Sequence, residues 1–138
     1  MPISSTYSKI ITIPQTAIDK NGHVNNVVYV QWMQDIAVEH YASIGGIQAQ
    51  GPNATWVVRS HKLEYFLPAY EGEEVEIRTW VETIQRVRSL RKYEFVRKVD
   101  GKTLVKGETD WVFVDAKSGH PLAIPQEVAG VFGSLSNK

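Results

Sequence analysis

The chain is 138 residues long, 43% hydrophobic and 22% charged, which suits a single domain over residues 1–138 and excludes disorder, coiled coil and collagen. Fifteen Lys and Arg balance fifteen Asp and Glu, and this zero net charge argues against a nucleic-acid binder, whose affinity comes largely from phosphate contacts. With no Cys there is no disulfide framework, thiol nucleophile or Cys-based metal site, and with neither a basic, apolar leader nor the ~18-residue apolar run of a membrane helix, a cytoplasmic protein is expected.

Val and Ile together number 28 against six Leu, a β-branched excess that favours pleated sheet. Residues 7–13 alternate, with Tyr7, Lys9, Ile11 and Ile13 on one side, and stop at Pro14, which reads as a first strand. A polar loop over 15–24 follows, rich in the turn formers Asp19, Asn21 and Gly22. Then Tyr29, Trp32, Met33, Ile36, Ala37, His40 and Ile44 recur at steps of three and four, the period of a helix. Asn25 or Asn26 is its predicted N-cap, and Gly45-Gly46 its stop. Val27, Val28, Val30 and Val38 are poor helix formers, so the helix is expected to be apolar over much of its circumference and wrapped on several sides.

Beyond Pro52 the period changes to two. Residues 55–67, 74–83, 87–99 and 103–115 read as four long strands in a meander, with Asp100-Gly101 marking a tight hairpin. Ile124-Pro125 opens a short last helix with Pro125 at its first position. Strands segregated from one long helix imply an α+β layer: an antiparallel sheet of five or more strands wrapped around a central helix, with long edges of the kind that pair across a dimer.

Several motifs fail on inspection. Gly101-Lys102-Thr103 resembles the tail of a phosphate loop, but Val96 stands where its first glycine belongs. Asp19-Lys20-Asn21-Gly22-His23 begins like a calcium loop, yet its sixth position is Val24 instead of glycine. His23, His40, His61 and His120 show no metal-ligand spacing, so no metal and no cofactor are expected; His40 reads as a packed or capping residue and His120 as a turn residue. No G-x-S-x-G nucleophile elbow is present.

One segment stands apart. Asp19-Lys20-Asn21-Gly22-His23-Val24-Asn25-Asn26 places a carboxylate, an imidazole and three amides directly before the long helix. A helix N-terminus offers free N–H groups and partial positive charge, which suit a developing oxyanion, and an ionised Asp nearby suits a base or nucleophile. The same residues also suit a plain turn: Asx bends at Asp19 and Asn21, a positive φ at Gly22 and a cap at Asn25. On physical grounds both readings stand.

The run Asp-x-x-Gly-His-Val-Asn-Asn-x-x-Tyr, with Leu63-Glu64-Tyr65-Phe66-Leu67-Pro68-Ala69 and Gly119-His120-Pro121-Leu122-Ala123-Ile124-Pro125 later in the chain, resembles the hotdog-fold thioesterases of the 4-hydroxybenzoyl-CoA thioesterase group. Asp19, Asn21, His23, Val24, Asn25 and Asn26 are also similar to the motif of plant acyl-ACP thioesterases. The resemblance implies a hotdog fold, an acyl-CoA substrate, and a homodimer or homotetramer with active sites at the subunit interface. It implies Asp19 as catalytic base or nucleophile and the Asn26 N–H as oxyanion donor, with Asn21 and His23 assisting. Tyr29, Trp32, Met33, Trp56 and Val57 would wall the acyl site, each otherwise an ordinary core residue. Six of the fifteen basic residues fall between Arg86 and Lys98. Arg86, Arg88, Ser89 and Arg91, with Arg59, would form a rim for the phosphates of coenzyme A, unless the cations simply pair across strands with the glutamates of residues 71–76. An acyl-ACP thioesterase, a hotdog hydratase or dehydratase, and a non-catalytic acyl-CoA binding domain are the alternatives; Gly22 where a hydratase has Pro counts against the second.

Overall fold

The computed structural model describes residues 2–133. In chain order the elements are β1 (Tyr7–Thr12), a 3-10 turn (Gln15–Ala17), α1 (Asn26–Ser43), α2 (Gly46–Gln50), β2 (Ala54–Tyr65), β3 (Glu74–Gln85), β4 (Arg88–Arg97), β5 (Thr103–Asp115) and α3 (Gln126–Gly133). All five strands form one antiparallel sheet in the order β1-β3-β4-β5-β2.

The expected four-strand meander holds only for β3-β4-β5, because only those connections are tight. Arg86-Val87 turns β3 into β4 with Arg86 at φ +44°, and Gly101 at φ +70° helps return β4 into β5. Residues 66–73 instead cross the sheet. They leave with the Phe66 and Leu67 N–H groups on the Leu104 carbonyl (2.8 and 3.2 Å) and arrive with the Gly72 N–H on that of Ile13 (2.9 Å). Thus β2 lies beside β5 at one edge and β3 beside β1 at the other. Midway, the buried Ala69 accepts the Val24 N–H at 2.9 Å, so the crossover braces the segment that leads into α1.

Alternation decides the sheet's two faces. Val75, Ile77, Thr79 and Val81 of β3 and Ser89, Arg91, Tyr93 and Phe95 of β4 point inward and are buried. Outward, Arg78 pairs with Glu76 on its own strand and with Glu94 on β4, and Arg88 pairs across strands with Asp110. Across the centre Ile77, Phe95 and Val105 stand side by side in register. α1 lies on this inner face, burying Tyr29, Met33, Ile36, Ala37 and His40, with Asn25 as its N-cap.

The expectation of a helix wrapped on several sides is not met within one chain. Val27 and Val38 are 73% and 58% exposed, because the sheet contacts one side of α1 and leaves the other bare. Gly45 ends α1 as expected: the helix closes at Ser43 with Ile44 as its C-cap, and the glycine follows in the left-handed conformation. The chain bends at Gly45 (φ +84°) and Gly46 starts α2. Pro125 precedes α3 and is not its first residue: its carbonyl accepts the Val128 and Ala129 N–H groups, both at 3.0 Å.

α1 comes close to the sheet at Gly107 of β5. A Cβ there would lie 2.8 Å from Met33 Sδ and 3.1 Å from Met33 Cε. Gly107→Val is therefore expected to lose about 1–3 kcal/mol, as overpacking does, measured as a lower denaturant midpoint at unchanged slope. Among the described residues, no helix is long and apolar enough to cross a membrane and no cluster of His, Cys, Asp and Glu suits a metal ion.

Candidate active site

After β1 the chain makes its 3-10 turn and then a short antiparallel bend, with Ile18 bridged to Val24. The bend closes through the Asp19 N–H on the His23 carbonyl (3.1 Å) and the Gly22 N–H on the Asp19 carbonyl (2.9 Å). Gly22 sits at φ +85°, in the left-handed region that disfavours side chains. Asp19 Oδ1 accepts the Asn21 N–H at 2.8 Å, which fixes the half-buried carboxylate against its own turn. The next residues are tied down in the same way. The Asn25 N–H bonds the Ala17 carbonyl (3.0 Å), and Asn25 Oδ1 accepts the Val27 N–H (2.9 Å).

Asn26 is the first residue of α1, a position whose N–H has no partner within the helix. It is exposed, and its carbonyl receives a long hydrogen bond from the Tyr65 hydroxyl at 3.4 Å. One continuous segment thus carries an anchored carboxylate and an open helix N-terminus, both features the sequence named. Asn21 meets Asp19 through its backbone, and the His23 ring donates from Nδ1 to the Val24 carbonyl at 3.3 Å.

The expected acyl walls do not gather at this end. Tyr29 and Met33 are closed into the core, where the Tyr29 ring meets Phe95 edge-on at 5.0 Å and Trp32 packs beside both. Trp56 points inward at the opposite end of α1, beside Tyr41 and Phe113, while Val57 is 43% exposed. Neighbouring strand residues face opposite sides, so Trp56 and Val57 cannot line one pocket.

The expected phosphate rim also divides. Arg86 and Arg88 are exposed, Arg88 against Asp110, and Arg59 is exposed at the bulge between Val58 and Ser60 on the edge strand β2. Ser89 and Arg91 are buried on the inner face, so Arg91 is not a rim residue. Its Nη1 donates to His40 Nδ1 (2.8 Å) and to Thr79 Oγ1 (3.1 Å). The signal was available in the alternation of β4, where Arg91 shares its parity with Tyr93 and Phe95. Beside it, His61 Nδ1 meets Thr109 Oγ1 at 2.9 Å and its Nε2 meets Gln34 Nε2 at 3.3 Å. A polar belt, missed in the sequence, therefore crosses the interior under α1.

Burial, and the Arg91 charge after it, push the His40 imidazole down from 6.5 to about 4. Tyr7 stacks on its other side at 5.3 Å, and the Lys9–Glu39 pair spans the same β1–α1 contact. The fold thus accepts the neutral ring. Its contribution is complete above pH 6.5 and is lost as pH falls towards 4. About 2 kcal/mol of the stability at pH 7 is expected to vanish by pH 4 through this group, after allowance for screening. Urea unfolding of the parent and of His40→Gln at both pH values measures it; the variant should lose less.

Residues 13–132 match the family model described as the thioesterase-like superfamily. The chain belongs to that superfamily. No curated protein matches the sequence. Among solved structures, this thioesterase-like chain resembles the PA5185 protein of Pseudomonas aeruginosa (25% identity, TM-score 0.83, covering 94% of this chain and 90% of that one). It also resembles Slr0204, a 1,4-dihydroxy-2-naphthoyl-CoA thioesterase of Synechocystis (15%, TM-score 0.84, 96% and 98%). A third match is SAV2348 of Staphylococcus aureus, solved with CoA (13%, TM-score 0.86, 97% and 85%). At such identities the last two establish shared architecture. The α+β arrangement, with α1 laid on a five-stranded antiparallel sheet, is the hotdog fold.

Proposed function

We propose that this thioesterase-superfamily member hydrolyses acyl-CoA thioesters, with Asp19 as base or nucleophile and the Asn26 N–H as oxyanion donor. The observation that carries the reading is the single braced segment that ends in an open helix N-terminus and holds a carboxylate just before it. As a base, Asp19 takes a proton from water while the water oxygen attacks the thioester carbonyl. As a nucleophile, its oxygen attacks the same carbon and water later opens the anhydride. Either way the C–S bond breaks and the thiolate of coenzyme A leaves with its electron pair, to be protonated in solution. A thiolate leaves readily, so little acid assistance is required. A lost oxyanion donor typically costs about 3 kcal/mol, and the helix terminus thus supplies a large part of the acceleration.

In this reading Asn21 and His23 support Asp19 through the backbone of the turn, and the exposed Arg59, Arg86 and Arg88 are the candidate phosphate contacts. The chain acts as a homodimer or homotetramer, consistent with the open edge of β2 and the bare valines of α1. Thiol release from aromatic and straight-chain acyl-CoAs tests the reading directly. Release that saturates with one acyl class supports it and names the substrate. No release from any CoA ester, by a folded protein, overturns it.

A further inference from the structure

A cavity of about 220 Å³ lies at the other end of α1, between Ala37 and Tyr41 of that helix, Trp56 of β2, Trp111 of β5, Phe132 of α3 and the guanidinium of Arg91. Along α1 it stands roughly 20 Å from Asn26, at ~1.5 Å per residue, with the closed core around Met33 and Ile36 between the two ends. Its walls are mainly aromatic and aliphatic, with Gln50, Thr55 and Ser89 also in the lining, and Val38 and Ile47 beside them are both more than half exposed.

Arg91 is the anomaly. It is 4% exposed, yet no carboxylate among the described residues forms an ion pair with it. Its hydrogen-bond partners are neutral, the His40 ring and the Thr79 hydroxyl, and Thr79 spends its own proton on the Lys92 carbonyl at 2.9 Å. The ring of Phe132, 5.9 Å away, adds a weak cation–π contact. Taking a cation out of water without an opposite charge is costly, and a guanidinium forks naturally onto a carboxylate.

We infer that the Arg91 cavity binds a small apolar carboxylic acid, its carboxylate on the guanidinium and its hydrocarbon body among Trp56, Trp111 and Phe132. The size fits. An apolar cavity of roughly 150 Å³ takes benzene, so this one holds a benzene-sized body with a carboxylate attached. The site stands whether or not Asp19 hydrolyses thioesters, since it uses none of that machinery.

The four tryptophans make the test local. Trp56 and Trp111 line the cavity, whereas Trp80 lies on the outer face of the sheet with its indole N–H on Glu82 at 2.9 Å. Benzoate and cyclohexanecarboxylate are titrated into the ¹⁵N-labelled full chain, with benzamide as the neutral match. The indole signals of Trp56 and Trp111 should shift saturably with the acids while that of Trp80 stays, and benzamide should bind at least tenfold more weakly. Arg91→Gln should abolish the preference for acid over amide. Ile47→Glu, at an exposed position of the short helix α2 beside the cavity, should weaken the acids by several-fold through repulsion and leave the amide unchanged. The inference is overturned if neither acid shifts the two indoles. It falls equally if benzamide matches benzoate, or if Ile47→Glu weakens acid and amide alike.

Discussion

Asp19→Asn is expected to lower thioester hydrolysis by about 10²–10⁴-fold, the usual contribution of a positioned base, with thiol release as the measurement. The amide keeps a side-chain oxygen for the Asn21 N–H, so the turn that the carboxylate supports survives. That contact is worth about 1 kcal/mol at most, and circular dichroism and oligomer size should match the parent. The loss should fall in kcat more than in KM, because a base acts in the transition state and not in binding. An unchanged rate would remove Asp19 from the mechanism. The companion substitution Asn21→Ala separates the two roles this turn offers. It keeps the backbone N–H on Asp19, so a purely backbone role leaves the rate near that of the parent.

The largest stability effect is expected at Phe95. It is fully buried at the centre of β4, between Ile77 and Val105, and its ring receives Tyr29 edge-on. Phe95→Ala should cost about 3–5 kcal/mol, from lost transfer energy and the cavity left behind. That is a large part of the ~5–15 kcal/mol that stabilises a typical domain, so much of the variant should be unfolded or aggregated at 37 °C. Denaturant unfolding measures it. A loss below about 1 kcal/mol would mean that α1 settles onto the sheet and refills the space.

Local features of this protein were legible because local physics makes them. The period of two along β3, β4 and β5 follows from the pleat, and the helical period from Tyr29 to His40 follows from one face resting on the sheet. Gly22, Asn25 and the Asp19 turn were readable because Asx bends, positive φ and N-caps close over two or three residues. Errors came where the deciding partner is distant in sequence. β2 lies beside β5 and not β3, since residues 66–73 are long enough to cross the sheet and nothing local forces them to turn back.

The α+β class, the one long helix and the polar segment that runs into it follow from patterns that close within a few residues. Which side of that helix is covered depends on long-range packing. Only the tertiary structure showed that Trp56 and Val57 part company across a strand, and that Arg91 turns inward to His40 and Thr79 instead of joining Arg88 at the surface. A charge in a sequence reads as a solvated group. The packing of α1 and α3 over β4 makes this one a buried cation, because strand parity binds it to the same face as Phe95.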